Sequence, residues 1–403
     1  MLSLAFRNVF RNRGRAAITL GAITFGVMAL ILSGGFVEDV FIQLREATIH
    51  SQLGHIQIER AGYAKFGRTE PYKYLLSNQD ELARKLAAVT GVKEVLERLN
   101  FSGLISNGHA DTPIIGEGIQ PDKEARLGTF LQIHAGRQLA DSDELGALIG
   151  RGVAKALNLK PGDSVTLMAN TPDGALNTLE VTIIGVFQTF SKDYDDRAIR
   201  IPLAAAQNLL ATDSIHNFVL LLDATEHTDL LVSQLRDSLP AKSYEVLSWL
   251  DLAEFYRSTV ALYERQFGVL QLIILFMVIL GVANSVNMAI FERTGEFGTQ
   301  RATGDRRSRV FRLILTETCV LGVLGALLGL VLGVTLAVAI SKLGIPMPPP
   351  PNSNTGYTAY IRIVPQVMVI SVVVGLSASI VAALIPAVKA TRIPIADALR
   401  RNI

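Results

Sequence analysis

Four runs of the 403-residue chain, at 16–37, 267–291, 318–341 and 363–388, contain no Asp, Glu, Lys or Arg. A helix rises about 1.5 Å per residue and the hydrocarbon core of a bilayer is about 30 Å thick, so roughly 20 apolar residues cross it. Backbone amides cannot stay unpaired in lipid, so each run is expected to be a membrane-spanning helix. Charged residues make up 18% of the chain, against about 25% in an ordinary soluble domain. That excludes a wholly soluble chain, a disordered one and a basic nucleic-acid binder. The first run follows Arg7, Arg11, Arg13 and Arg15, as a secretion signal would. Its apolar part is too long for such a signal and no small-residue cleavage site follows, so it reads as a retained anchor.

The cations set the orientation. Residues 1–15 hold four Arg and no acid, and 292–312 hold six Arg against Glu292, Glu296 and Asp305. Residues 389–403 hold Lys389, Arg392, Arg400 and Arg401 against Asp397. The 38–266 connection has 22 basic and 31 acidic residues, a net of −9. Cations are retained inside, so both termini and the 292–312 loop are expected on the cytoplasmic side, with 38–266 outside. The resulting plan is a cytoplasmic helix at 1–15, spans at 16–37, 267–291, 313–341 and 363–388, an outer domain at 38–266, a cytoplasmic segment at 292–312, a short outer loop at 342–362 and a tail at 389–403.

Within 38–266 the patterns mix strand and helix. Residues 54–59 alternate apolar and polar, as a half-buried strand does; 164–168, 181–187 and 218–222 read as further strands. Residues 80–89, 148–158 and 202–210 read as helices, and Pro161-Gly162 as a turn. The fold class expected is four transmembrane helices with a large α+β domain inserted between the first and second. Residues 245–266 place Val246, Trp249, Leu250, Ala253, Tyr256 and Val260 at helical intervals, which predicts a helix running unbroken into the second span.

Catalytic patterns are absent from the sequence. His50, His55, His109, His134, His216 and His227 lack metal-ligand spacing, and the single cysteine, Cys319, excludes a disulfide framework. Asp193, Asp195 and Asp196 lack the glycine and distal Glu of a calcium loop and are expected to be a solvated loop. There is no G-x-x-x-x-G-K-[ST] phosphate loop and no Gly-Lys pair, so no ATP hydrolysis by that route is expected. In the spans, Gly325, Gly329 and Gly333 recur every fourth residue, a stripe that permits close helix contact within the subunit or across a dimer. Asn284 and Asn287 are candidates for hydrogen bonds between helices. Glu317, at the inner end of the third span, is expected to snorkel or to take part in coupling. Pro348 to Pro351 read as a stiff extended spacer.

The 292–312 segment carries more than a topology signal needs: Glu292 and Glu296 at helical spacing, Phe297 among charges, and Gly304 as a stop. Its Glu-Arg-Thr-Gly-Glu-Phe-Gly-Thr-Gln-Arg-Ala-Thr-Gly run, at 292–304, resembles the coupling segment of the FtsX/MacB/LolC-LolE permeases, membrane subunits of ABC transporters. The resemblance covers nearly the whole chain. It includes the basic start at Leu4 to Arg11, similar to an elbow helix, and Ser33-Gly34-Gly35-Phe36-Val37-Glu38 at the end of the first span. It also includes Ile149-Gly150-Arg151-Gly152 onward through Leu159 to Asp163 and Ile184 to Phe187, similar to the family's periplasmic core domain, and Ile385-Pro386-Ala387 with Ile393 to Arg400 at the C-terminus. Gly295, Phe297, Thr299 and Gln300 depart from the usual coupling motif, which implies a dedicated docking partner.

The resemblance is closest to the lipoprotein-releasing type. It implies no cofactor in this chain, two copies of a cytoplasmic ATPase subunit that bind ATP and Mg, and a second permease copy or a related permease. It implies as substrate a lipoprotein, lipid or other hydrophobic molecule, with a periplasmic acceptor, at the bacterial inner membrane. Work would pass to the outer domain by mechanical transmission. Coupling would fall to Glu292, Arg293, Glu296, Phe297, Gly298, Arg301, Ala302 and Gly304, with Glu292, Arg293, Glu296 and Arg301 as polar grips. Two alternatives remain at this stage: a signal relay that activates a periplasmic hydrolase, and an efflux permease working with a periplasmic adaptor.

Overall fold

The computed structural model describes residues 13–67, 69–77, 79–128, 130–348 and 356–400. Residues 1–12 of the elbow helix expected at 1–15, most of the Pro348 to Pro351 spacer and the last three residues lie outside these; 13–15 begin the first long helix. The chain divides into a membrane unit (1–42, 260–346 and 358–403) and an outer unit (43–259 and 347–357).

Among the described residues four helices are long and apolar enough to cross a membrane: Arg13–Thr48, Glu254–Glu292, Arg307–Leu343 and Pro365–Arg392. Even the shortest, at 28 residues, is about 40 Å long, so every helix continues past its charge-free run. The first helix touches the other three. Its Thr19 hydroxyl hydrogen-bonds Ser285 of the second. Its Ile23, Val27 and Ile31 form one buried cluster with Val278, Val282, Ala326, Ala378 and Ala382. At the outer end its Asp39, 1% exposed, accepts from Arg362 Nε and from the Tyr360 amide, both at 2.9 Å.

The outer unit is built on ten strands: β1 (Ile56–Arg60), β2 (Val92–Ser106), β3 (Asp111–Ile119), β4 (Gln132–Gly136), β5 (Gly146–Gly150), β6 (Ser164–Asn170), β7 (Leu176–Gln188), β8 (Ala198–Pro202), β9 (Asn217–Leu222) and β10 (Tyr244–Ser248). Their order is β10-β1-β9-β2-β3-β8-β5-β7-β4, with β6 pairing β2 and β7. The 15-residue β2 serves two cores. Its Val95 joins Ile56, Ile58, Phe218, Leu220 and Val246 under helices Gln79–Ala87 and Thr228–Ser238. Its Leu99, Phe101 and Ile105 join β3 and β5 to β8 under helices Arg151–Leu157 and Leu203–Leu210.

Four local expectations need correction. Residues 148–150 are the end of β5 and not helix; the strand runs parallel to β7, buried on both faces, and such strands read as continuous apolar runs. Residues 245–248 are β10, paired with β1. Ser248 then opens a one-turn helix through a reciprocal bond pair with Asp251, and only from Glu254 does the chain run unbroken into the second span. β1 is buried on both faces rather than one. Asp195 is not solvated either: it is fully buried and holds the Thr189 amide and hydroxyl at 2.9 and 2.7 Å. The Pro161-Gly162 turn forms as expected, with Gly162 at φ +99°, where a side chain would be strained.

Within the outer unit, the polar face of β1, β9 and β2 receives the π-helical segment Ile49–Leu53. Gln57 Nε2 donates to the Leu53 carbonyl at 2.8 Å, Arg200 Nη2 to Ser51 O at 3.0 Å, and Arg98 Nη1 to Gln52 O. Arg98 and Arg200 are themselves buried. They are balanced by Glu124, which Arg98 grips through two nitrogens, and by Glu117, 3.0 Å from Arg200 Nε. Cations at a helix C-terminus satisfy carbonyls that have no partner within the helix.

Candidate functional site

The segment between the second and third spans folds as a short helix, Thr294–Ala302, set off from the long helix before it by Arg293 at φ −103°, ψ 12°. It stops where Gly304 adopts φ +107°, a conformation that excludes most side chains. The Asp305 amide turns back to Gln300 O at 3.0 Å.

Arg293 is the hub. Its side chain is 10% exposed and donates to Glu317 Oε2 at 2.7 Å and Glu296 Oε2 at 3.0 Å. Its guanidinium lies 5.2 Å from the centre of the Phe297 ring, close enough for cation–π attraction. Burial favours loss of the Arg293 charge, but the two carboxylates outweigh it and raise the pKa. Phe297, 4% exposed, packs with Ile290, Val310, Leu313, Ile314 and Ala387. Thr294 Oγ1 caps back to Ile290 O at 2.8 Å. Arg301 Nη1 reaches the Ile393 carbonyl at 2.6 Å and ties the short helix to the C-terminal helix Ile395–Arg400.

The predicted coupling residues therefore divide into two sets. Arg293, Phe297 and Gly298 face inward, and Arg301 is spent on an internal bond, so neither arginine is a free surface grip. Glu292, Glu296, Ala302 and Gly304 are exposed, and Thr299 and Thr303 join them on the outer side. Glu317 does not snorkel to solvent; it closes the Arg293 pair across 24 residues of sequence.

In the spans, the Gly325, Gly329 and Gly333 stripe lies on the first helix of the same chain. A Cβ on Gly329 would stand 2.8 Å from Thr24 O and from Val27 Cβ, and one on Gly325 would stand 2.9 Å from Ile23 Cβ. Thr24 Oγ1 donates to Gly325 O at 3.1 Å. Asn284 and Asn287 are exposed within the chain; the buried polar bond of the second helix comes from Ser285, which sequence reasoning missed.

This geometry can be set beside known proteins. The MacB-like periplasmic core domain matches residues 16–238 and the FtsX-like permease C-terminal domain matches 268–395. The chain belongs to the FtsX/MacB/LolC-LolE family of ABC transporter permeases. This permease is 23% identical to an uncharacterized ABC transporter permease of Methanocaldococcus jannaschii, over 85% of each chain. It is 22% identical to the lipoprotein-releasing system transmembrane protein LolE of Haemophilus influenzae, over 94% of this chain and 92% of that one. It is 25% identical to the macrolide export ATP-binding/permease protein MacB of Bdellovibrio bacteriovorus, over 85% of this chain but 54% of that longer one. The permease is a multi-pass membrane protein with a MacB-like domain between its first and second spans.

Proposed function

We propose that this permease is the membrane subunit of a complex in which a separate ATP- and Mg-binding partner drives extraction or export of a lipoprotein or other hydrophobic molecule. The complex would sit in the inner membrane, with both termini and the Thr294–Ala302 helix on the cytoplasmic side. The observation that carries the reading is the build of the short helix. Its inner side is welded to the spans by Arg293, Glu317, Phe297 and Arg301, while Glu292 and Glu296 remain exposed. A push on such a helix moves the spans as one body instead of bending a loop. Helix Glu254–Glu292 is a single uninterrupted element, suited to carrying the displacement outward. Similarity to LolE along almost its full length favours a lipoprotein or lipid cargo over macrolide efflux.

The test is the Glu292→Gln/Glu296→Gln double variant in the purified complex. ATP turnover by the co-purified ATPase should lose its dependence on the permease, with cargo release abolished and membrane insertion normal. Cargo release at the wild-type rate would remove the docking role. Release that persists with no nucleotide-hydrolysing partner bound would remove the function itself.

A further inference from the structure

The buried Asp195 is satisfied by the Thr189 amide and hydroxyl, and among the described residues the buried or nearly buried carboxylates Glu124, Glu117, Glu317 and Asp39 each stand beside an arginine. Glu59 does not. It is 3% exposed, its Oε2 has no hydrogen-bond partner, and the neighbouring Asn217 Oδ1 has none either. The strand register sets Glu59 between Asn217 on β9 and Glu245 on β10. Facing it are therefore Asn217, the carboxylate of Glu245, which accepts from the Gly62 amide at 3.1 Å, and the half-buried Tyr63. Arg98, next along the same row on β2, has its guanidinium committed to Glu124 and Gln52 O. No cation reaches Glu59 from any of these strands. A buried anion opposite a like charge and without a counterion is a high-energy arrangement, and a single proton removes it while turning an orphaned acceptor into a donor.

We propose that Glu59 is a proton-binding site that locks β10, and that losing the proton loosens β10 from β1. β10 is the sheet's edge strand, paired with β1 alone, and it leads through the Ser248-capped turn into helix Glu254–Glu292. The proton would come from the compartment the outer domain faces. Burial, with Glu245 adding to it and Asn217 opposing it, pushes the Glu59 carboxyl up to about 7, so the lock changes state near neutrality. This does not depend on which cargo the permease moves.

Amide exchange along Tyr244–Ser248 tests it, on the full chain in detergent micelles and corrected for intrinsic exchange chemistry. An opened strand restores the ordinary carboxyl pKa. Opening should therefore rise roughly tenfold per pH unit from pH 5 to about 6.5 and level off above 7, while Asn217–Leu222 of β9 shows no such rise. Glu59→Gln, a mimic of the protonated side chain, should flatten the β10 profile. Should that variant not fold, Glu245→Gln should move the levelling-off point to lower pH. A flat wild-type profile, a Glu59→Gln profile as steep as wild type, or an unmoved levelling point in Glu245→Gln would each overturn the proposal.

Discussion

Glu124 offers the sharpest test of what holds the Ile49–Leu53 segment to the outer unit's own sheet. It is 1% exposed, is gripped by Arg98 through two nitrogens and lies 3.7 Å from Arg200 Nη1. Glu124→Gln keeps the shape but leaves two buried guanidinium groups with Glu117 as their remaining carboxylate. Breaking a buried pair by removing one partner costs about 3–5 kcal/mol, because the remaining charge stays desolvated and uncompensated. For a unit of this size about 1 kcal/mol moves the melting temperature by roughly 2–4 °C, so a drop of about 10 °C is expected. The chain's single tryptophan, Trp249, packs against Ile49, Leu53 and Tyr256 beside this joint, and its fluorescence reports unfolding of the outer unit directly. Removing both charges, as Arg98→Met/Glu124→Gln, should recover a good part of the loss, since it is the unpaired charge and not the missing pair that costs most. A single variant within about 1 kcal/mol of wild type, or a double variant as unstable as the sum of its singles, would refute the argument.

Other consequences follow from the same structure. Gly329→Val should destabilise the membrane unit by about 1–3 kcal/mol through overpacking against Thr24 and Val27, read as earlier aggregation on heating in micelles; Leu328→Val on the exposed side should be near neutral. Burial holds His216 down at about 4, so the unfolded chain binds the proton first. His216 alone should cost up to about 3 kcal/mol of stability as pH drops from about 6.5 toward 4; the buried His55 is held down to about 4 as well, so His216→Gln should make the acid limb shallower in a denaturant series without abolishing it. Reporter fusions at residue 150 should read as outside and at residue 303 as inside; the opposite pattern would invert the assigned orientation.

How much was legible beforehand depended on whether a feature is local. Charge-free runs longer than a bilayer is thick have one physical solution, so the four spans were readable from composition alone. The Pro161-Gly162 turn, the strands around 164–168, 181–187 and 218–222 and the stop at Gly304 likewise follow from a few adjacent residues. β10 was misread because Val246, Trp249 and Ala253 satisfy a helical period; pairing with β1 overrode that pattern. The coupling segment was recognisable by its residue types, yet which of them turn outward was not, since that is set by Glu317 and Ile393 from distant elements.

By itself the sequence determined that this chain crosses a membrane four times, that its large insertion is an α+β domain, and that its arginine-rich loop is the segment to watch. Those conclusions rest on hydrophobic length, charge asymmetry and turn chemistry, each of which acts over a dozen residues or so. Only the tertiary structure decided where the buried charges pair. Arg98 meets Glu124 and the Gln52 carbonyl, Arg293 meets Glu317, Asp39 meets Arg362, and among the described residues Glu59 meets no cation. Desolvation makes each of these arrangements depend on groups that the fold brings within about 3 Å, and no spacing along the chain encodes that distance.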